Sequence, residues 1–104
     1  MELPRDCYHE ELGVYAFFFV LARRASVYLK VLLESYEGVG VMRSVDTEYA
    51  SGKALVVVLV VPDFLAQARA LLDYLSVDHE IVFSSAAPEL RAELAADLLG
   101  ELMD

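Results

Sequence analysis

The sequence has 104 residues, 58% of them hydrophobic, and its 17 acidic and 8 basic side chains give a formal net charge of −9. A chain of this length and hydrophobicity can bury a core, so we expect one folded domain over residues 1–104 and not a disordered chain. The negative charge disfavours nucleic acids and anionic membrane surfaces as partners, because both are negatively charged themselves.

The single cysteine, Cys7, cannot form a disulfide within the chain, which predicts a reducing, cytoplasmic location. The first residues are acidic where a secretory signal is basic, and the apolar run at 14–22 is half as long as a membrane span. We predict an acidic N-terminal arm at 1–12, a core at 13–87 and a C-terminal helix at 88–104. Most of the excess negative charge lies in the arm and that helix.

Residues 14–22 (VYAFFFVLA) are apolar at both alternating sets of positions, which predicts a strand buried on both sides. A first helix follows in VYLKVLLESYE, with Ser26 as its N-cap and Gly38 as its end. Residues 39–49 alternate and predict a half-exposed edge strand. The side chains predicted on one face of this strand are Val39, Val41, Val45 and Tyr49.

A turn at 50–52 leads into a second strand without a polar face, at 53–61. Pro62 and Asp63 begin a second helix. Its apolar stripe is predicted to contain Phe64 or Leu65, then Ala68, Leu71, Leu72 and Leu75. A short last strand is predicted at 80–84, and a terminal helix begins at Pro88. The inner face of that helix would carry Leu90, Leu94, Leu98 and Leu102.

This element order predicts a ferredoxin-like α+β sandwich with the order βαββαβ, followed by an extra helix. Its antiparallel sheet has the strand order 4-1-3-2, and both crossover helices cover the same face. The two central strands are apolar on the other face as well, so that face also needs a cover. We expect either the C-terminal helix or a second copy of the chain there, and the chain is predicted to be a homodimer through the sheet face or edge.

Arg23 and Arg24 lie between the first strand and the first helix. Guanidinium groups beside the free N–H groups of a helix N-terminus favour an anion, so Arg23, Arg24 and Ser26 form the predicted ligand site for a carboxylate or phosphate. In an acidic protein the arginines have an alternative role, which is to pair with acids such as Asp46, Glu48 or Asp78.

No catalytic residue, metal site or cofactor is predicted. Cys7 and His9 with Glu10 and Glu11 have metal-binding side chains but not the four ligands at regular spacing of a zinc site. His9 and His79 lie in an arm and a turn, so neither forms a nucleophile with an adjacent base.

The segments YLKVLLESYEGVGVMRSVD and PDFLAQARALLDYL, on either side of an apolar strand, resemble a family of small bacterial domains of unknown function over residues 14 to 84. The most specific part is Leu33 to Gly38. The element order is also similar to ACT-type regulatory domains, which implies dimerisation through sheets and amino-acid binding near the first strand-to-helix loop. That loop has a glycine in the ACT pattern, and none is present at 22–26.

Three functions follow from these observations. The first is a non-catalytic, cytoplasmic, homodimeric module with a binding or regulatory role. The second is an ACT-like sensor that binds a small carboxylate or phosphate at Arg23 and Arg24. The third is a cofactor-free enzyme of the dimeric α+β barrel type, in which two sheets enclose a polar reaction cavity.

Overall fold

The computed structural model describes residues 8–35, 40–78 and 81–85, together with residues 93, 94, 96, 97 and 100 of the C-terminal segment, which are helical. The fold is α+β, and two helices accompany an antiparallel sheet. The elements are β1 (Tyr8–His9), β2 (Val14–Ala22), α1 (Arg23–Ser35), β3 (Val41–Ala50), β4 (Lys53–Val60), α2 (Leu65–Asp78) and β5 (Ser84–Ser85).

Both helices pack on one face of the sheet. Every second residue of β2, including Phe17, Phe19 and Leu21, points to this face, where β4 contributes a row of alanine and valine side chains. The contributions of the helices are Leu29 and Leu33 from α1 and Ala68, Leu71, Leu72 and Leu75 from α2. These four α2 residues are all buried, which confirms the predicted apolar stripe.

The centre of the opposite face of the sheet is also buried within the single chain. Ala16, Phe18, Leu55 and Val57 form this second cluster and are at most 3% exposed. Leu94 of the C-terminal helical residues packs against the cluster. The centre of the apolar face that suggested a covering partner is therefore buried without one, whereas Val41 and Val45 of β3 are 60% and 41% exposed.

The sheet differs from the predicted strand order 4-1-3-2, because a short strand, β1, was not predicted. The observed path is β1-β2-β4-β3, and β5 pairs with β2 outside this path. The three long strands keep their predicted neighbours, with β2 beside β4 and β3 at the edge. β1 and β5 are held by aromatic contacts with β2: Tyr8 packs on Tyr15 with ring centres 5.1 Å apart. Phe83, before β5, meets Phe19 edge-on at 5.3 Å.

The first helix begins earlier than predicted. α1 starts at Arg23, directly after β2 ends at Ala22, so Ser26 lies inside the first turn and is not the N-cap. Its hydroxyl donates a 2.6 Å hydrogen bond back to the carbonyl oxygen of Arg23. A serine that bonds within the helix in this way does not cap it.

The exposed side chains of the edge strand include the apolar residues that were predicted to share one face. Met42 is the buried residue of β3, at 6% exposed, whereas Val41, Val45 and Tyr49 are 41 to 60% exposed. Met42 lies opposite Val58, whose side chain points to the helices. The pairing of β3 with β4 also shifts register twice, between Ser44 and Asp46 and between Asp46 and Ala50, and these irregularities interrupt the alternation.

The last predicted strand is shorter than expected. β5 covers only Ser84–Ser85, and residues 81–83 are not in a strand. Ile81 is nevertheless buried, and its N–H donates to the carbonyl of Leu75 at 3.2 Å. The predicted helix end at Gly38 and helix start at Pro88 lie outside the described residues, as do Cys7 and His79. In the part of the chain that is described, no helix is long and apolar enough to cross a membrane.

Candidate functional site

Arg23, one of the three predicted site residues, forms hydrogen bonds within the fold. Its Nε donates a 2.8 Å hydrogen bond to the carbonyl oxygen of Thr47, in the irregular segment of β3 where the regular ladder with β4 is interrupted. Its backbone N–H donates to the carbonyl oxygen of Gly52 at 3.0 Å. Arg23 thus ties the start of α1 to β3 and to the turn that connects β3 with β4.

Ser26 is also occupied by the fold. The side chain is 6% exposed, and its hydroxyl proton is used in the hydrogen bond to the Arg23 carbonyl. Two of the three predicted ligand residues, Arg23 and Ser26, are therefore engaged in internal hydrogen bonds, and neither lines the cavity described next.

The third predicted site residue, Arg24, does line a cavity. It lines an open cavity of about 370 Å³ at the end of the sheet where β2 passes into α1. Lys53, the first residue of β4, lines the same cavity, because it pairs with Ala22 across the sheet. The remaining lining residues are Ala22, Ala25, Tyr28, Ile81 and Val82. This volume lies within the ~300–1,000 Å³ that small-molecule sites occupy.

The charge of this cavity is opposite to that of the protein. Two cationic side chains line it, and no acidic side chain of the described residues does, although the chain has 17 acidic residues. Arg24 and Lys53 form no ion pair or hydrogen bond through their side chains within the described part of the structure. The alternative expectation, pairing of the arginines with Asp46, Glu48 or Asp78, is not observed there: the partner of Arg23 is a backbone carbonyl.

A second cavity, on the other face of the sheet, provides a comparison. It has a volume of about 250 Å³ and is lined by Phe18, Val57 and Leu94 with the polar side chains of Arg43, Ser44 and Asp97, and by Val45. Here one basic residue is matched by one acidic residue, so the local charge is balanced. The cavity at Arg24 and Lys53 thus differs from its counterpart in carrying two positive charges without a facing acid among the described residues.

Lys53 was missed in the sequence because it is 29 positions from Arg24. A signal was present, however, since the predicted order placed the first and third strands side by side and antiparallel. The end of one such strand lies beside the start of the other, and this brings Lys53 to Ala22. As for metals, the described residues contain no group of three or more His, Cys, Asp or Glu side chains arranged to hold an ion.

Comparison with known protein families identifies the family to which this chain belongs. Residues 19–78, more than half of the chain, match the model of a domain of unknown function, DUF4911. No curated protein and no solved structure showed a significant match to the chain. The matched region runs from the second half of β2 to the end of α2 and contains both basic residues of the cavity. The chain therefore belongs to the DUF4911 family of domains of unknown function.

Proposed function

We propose that this domain is a non-catalytic binding module that holds a small anion, a carboxylate or phosphate, between Arg24 and Lys53. The supporting observation is the cavity with two cationic side chains and no acid among its described lining residues. A guanidinium can bind a carboxylate or phosphate through two parallel hydrogen bonds, and an ammonium adds a compact positive charge. This revises the predicted site, because Arg24 remains in it while Lys53 replaces Arg23 and Ser26.

Binding is proposed instead of catalysis because of the chemistry of the lining. Tyr28, Arg24 and Lys53 are its titratable residues among those described, and a carboxylate or imidazole that would move a proton near pH 7 is not one of them. The dimeric barrel enzyme would need an open second sheet face for its reaction cavity. Phe18, Leu55 and Val57 on that face are buried within the single chain, and the cavity of about 250 Å³ beside them is lined by Leu94 and Asp97 of the same chain, which argues against a cavity enclosed by a partner.

For the fold we propose the ferredoxin-like class. The three long strands and two helices have the neighbours that this class requires, and both helices lie on one side of the sheet. A regulatory role in the cytoplasm, as in ACT-like sensors, is consistent with a small domain that binds an anion and has a single cysteine.

The homodimer stays a prediction, and its most favourable site is now the edge of β3. Among the described strands β3 pairs only with β4, and Val41, Val45 and Tyr49 are exposed along it. Light scattering at micromolar concentration tests this expectation. A dimer that Val45→Lys dissociates supports the edge, and a monomeric wild-type protein with an intact fold contradicts the homodimer.

The anion site is tested by titrating ¹⁵N-labelled protein with acetate and with phosphate at constant ionic strength. We expect the amide signals at the start of α1 to shift, and Arg24→Gln and Lys53→Gln each to weaken binding about tenfold, as expected when one charged hydrogen bond is lost. Lys30→Gln is the matched control, since Lys30 is an exposed cation of α1 that does not line the cavity. Equal affinities in all four proteins would contradict the proposal.

A further inference from the structure

The apolar residues that line the cavity indicate what else a ligand would carry besides a negative charge. Apart from its two cations and Tyr28, its lining consists of the alkyl side chains of Ala22, Ala25, Ile81 and Val82. Val82 is 72% exposed and Tyr28 is 40% exposed. Apolar side chains this accessible at the rim of a cavity can bury further surface when a ligand covers them.

We propose, as an extension of the proposed function and dependent on it, that the ligand is an organic carboxylate with an apolar tail and without an amino group. The carboxylate would lie at Arg24 and Lys53, and the tail would cover Val82 and the ring of Tyr28. Acetate or inorganic phosphate would satisfy the cations but leave the alkyl wall in water. A longer hydrocarbon chain gains affinity from the same wall.

The exclusion of an amino group follows from the lining. An α-amino acid has an ammonium group next to its carboxylate, so the ammonium would be held close to Arg24 and Lys53. Like charges repel, and no acidic side chain among the described lining residues is present to accept hydrogen bonds from the ammonium. The site therefore distinguishes an amino acid from the acid of the same carbon skeleton, and this preference differs from the amino-acid binding that the ACT resemblance implies.

The expected size of the tail effect comes from the area that it covers. A fully buried methylene improves affinity about fourfold, and in an open cavity we expect half of that free energy, about twofold per methylene. Hexanoate has four methylenes more than acetate, so it should bind about fifteenfold more tightly. For 4-methylpentanoate against leucine, which share a skeleton, we expect about a tenfold preference for the acid without the amino group.

The experiment measures dissociation constants by ¹⁵N NMR titration with acetate, butyrate, hexanoate, 4-methylpentanoate, leucine, hexanol and phosphate. Val82→Ala should reduce the gain in affinity per methylene. Val77→Ala is the matched control, because Val77 is 76% exposed on α2 and does not line the cavity. Hexanol, which has no charge, should bind more weakly than hexanoate and should not respond to Arg24→Gln.

The outcomes separate the two proposals. If acetate and phosphate bind as tightly as hexanoate, and Arg24→Gln weakens all three, then the anion site stands and the apolar tail is refuted. Leucine binding as tightly as 4-methylpentanoate would likewise overturn the exclusion of an amino group. If no anion shifts the signals of the cavity residues, the anion site itself is wrong. Hexanoate binding that is unaffected by both Arg24→Gln and Lys53→Gln would refute both proposals.

Discussion

The burial of Phe18 allows a direct test of what covers the second face of the sheet. Phe18 lies on the face opposite the helices, is 3% exposed in the single chain and belongs to the cluster on which Leu94 packs. If this face is covered by the chain itself, Phe18→Ala removes a core side chain of the monomer. If the cover were a second chain, the same substitution would weaken mainly the dimer.

The expected loss of stability follows from the degree of burial. A phenylalanine that is fully buried contributes roughly 1.5–3 kcal/mol by transfer from water, and the cavity left by truncation raises the total cost to about 3–5 kcal/mol. Domains of this size have unfolding free energies of about 5–15 kcal/mol. Phe18→Ala should therefore remove a large part of the total stability. With a urea dependence of about 2 kcal/mol/M, a loss of about 4 kcal/mol lowers the unfolding midpoint by about 2 M.

The assay is equilibrium unfolding in urea, followed by far-UV circular dichroism, at protein concentrations of about 1 and 100 μM. Phe17→Ala is the matched control, because Phe17 is 1% exposed on the helix-covered face. We expect similar losses for the two substitutions at both concentrations. The reasoning is refuted if Phe18→Ala costs less than about 1 kcal/mol while Phe17→Ala has its full cost, or if the cost of Phe18→Ala changes with concentration.

Three further predictions test the described structure by urea unfolding, and two of them have a neighbouring control substitution. Arg23→Gln removes the hydrogen bond to Thr47 and should lower stability by about 1 kcal/mol without changing anion affinity; a tenfold weaker affinity would contradict the structural role of Arg23. Gly52→Ala should cost about 1–2 kcal/mol, because Gly52 has a φ of 69° but an added Cβ meets no atom within 4 Å; Ser51→Ala in the same turn should cost under about 0.5 kcal/mol. Met42→Ala should cost about 2–4 kcal/mol and Val41→Ala under about 0.5 kcal/mol, and the reverse order would show that the facing of β3 is misassigned.

Several elements could be predicted from the sequence because their signal is local. The run VYAFFFVLA is apolar at every position, and β2 has the predicted bounds 14–22. The spacing of Ala68, Leu71, Leu72 and Leu75 is the helical period, and all four are buried in α2. A continuous apolar run of 9 residues thus predicted the central strand, and helical periodicity within a 14-residue segment predicted the second helix.

Short strands and facing could not be predicted in the same way. β1 has two residues, too few for a periodic pattern, and it is held by the packing of Tyr8 on Tyr15 and by pairing with β2. In β3, alternation predicted that Val41 and Val45 share one face, and both are exposed. The register with β4 turns Met42 inward instead, and the irregularities after Ser44 end the alternation. Register depends on the partner strand, so it is absent from the local pattern.

The candidate site, too, was only partly predictable from local sequence patterns. Two adjacent arginines at the junction of the central strand and the first helix could be recognised from the sequence, and with them a basic cluster in an acidic protein. The roles of the two arginines became clear from the folded chain: Arg23 donates a hydrogen bond to Thr47, 24 positions away, and the β2–β4 register brings Lys53 to the cavity that Arg24 lines. Both placements depend on hydrogen bonds between segments that are far apart in the sequence. The residue spacing within one segment therefore does not reveal them.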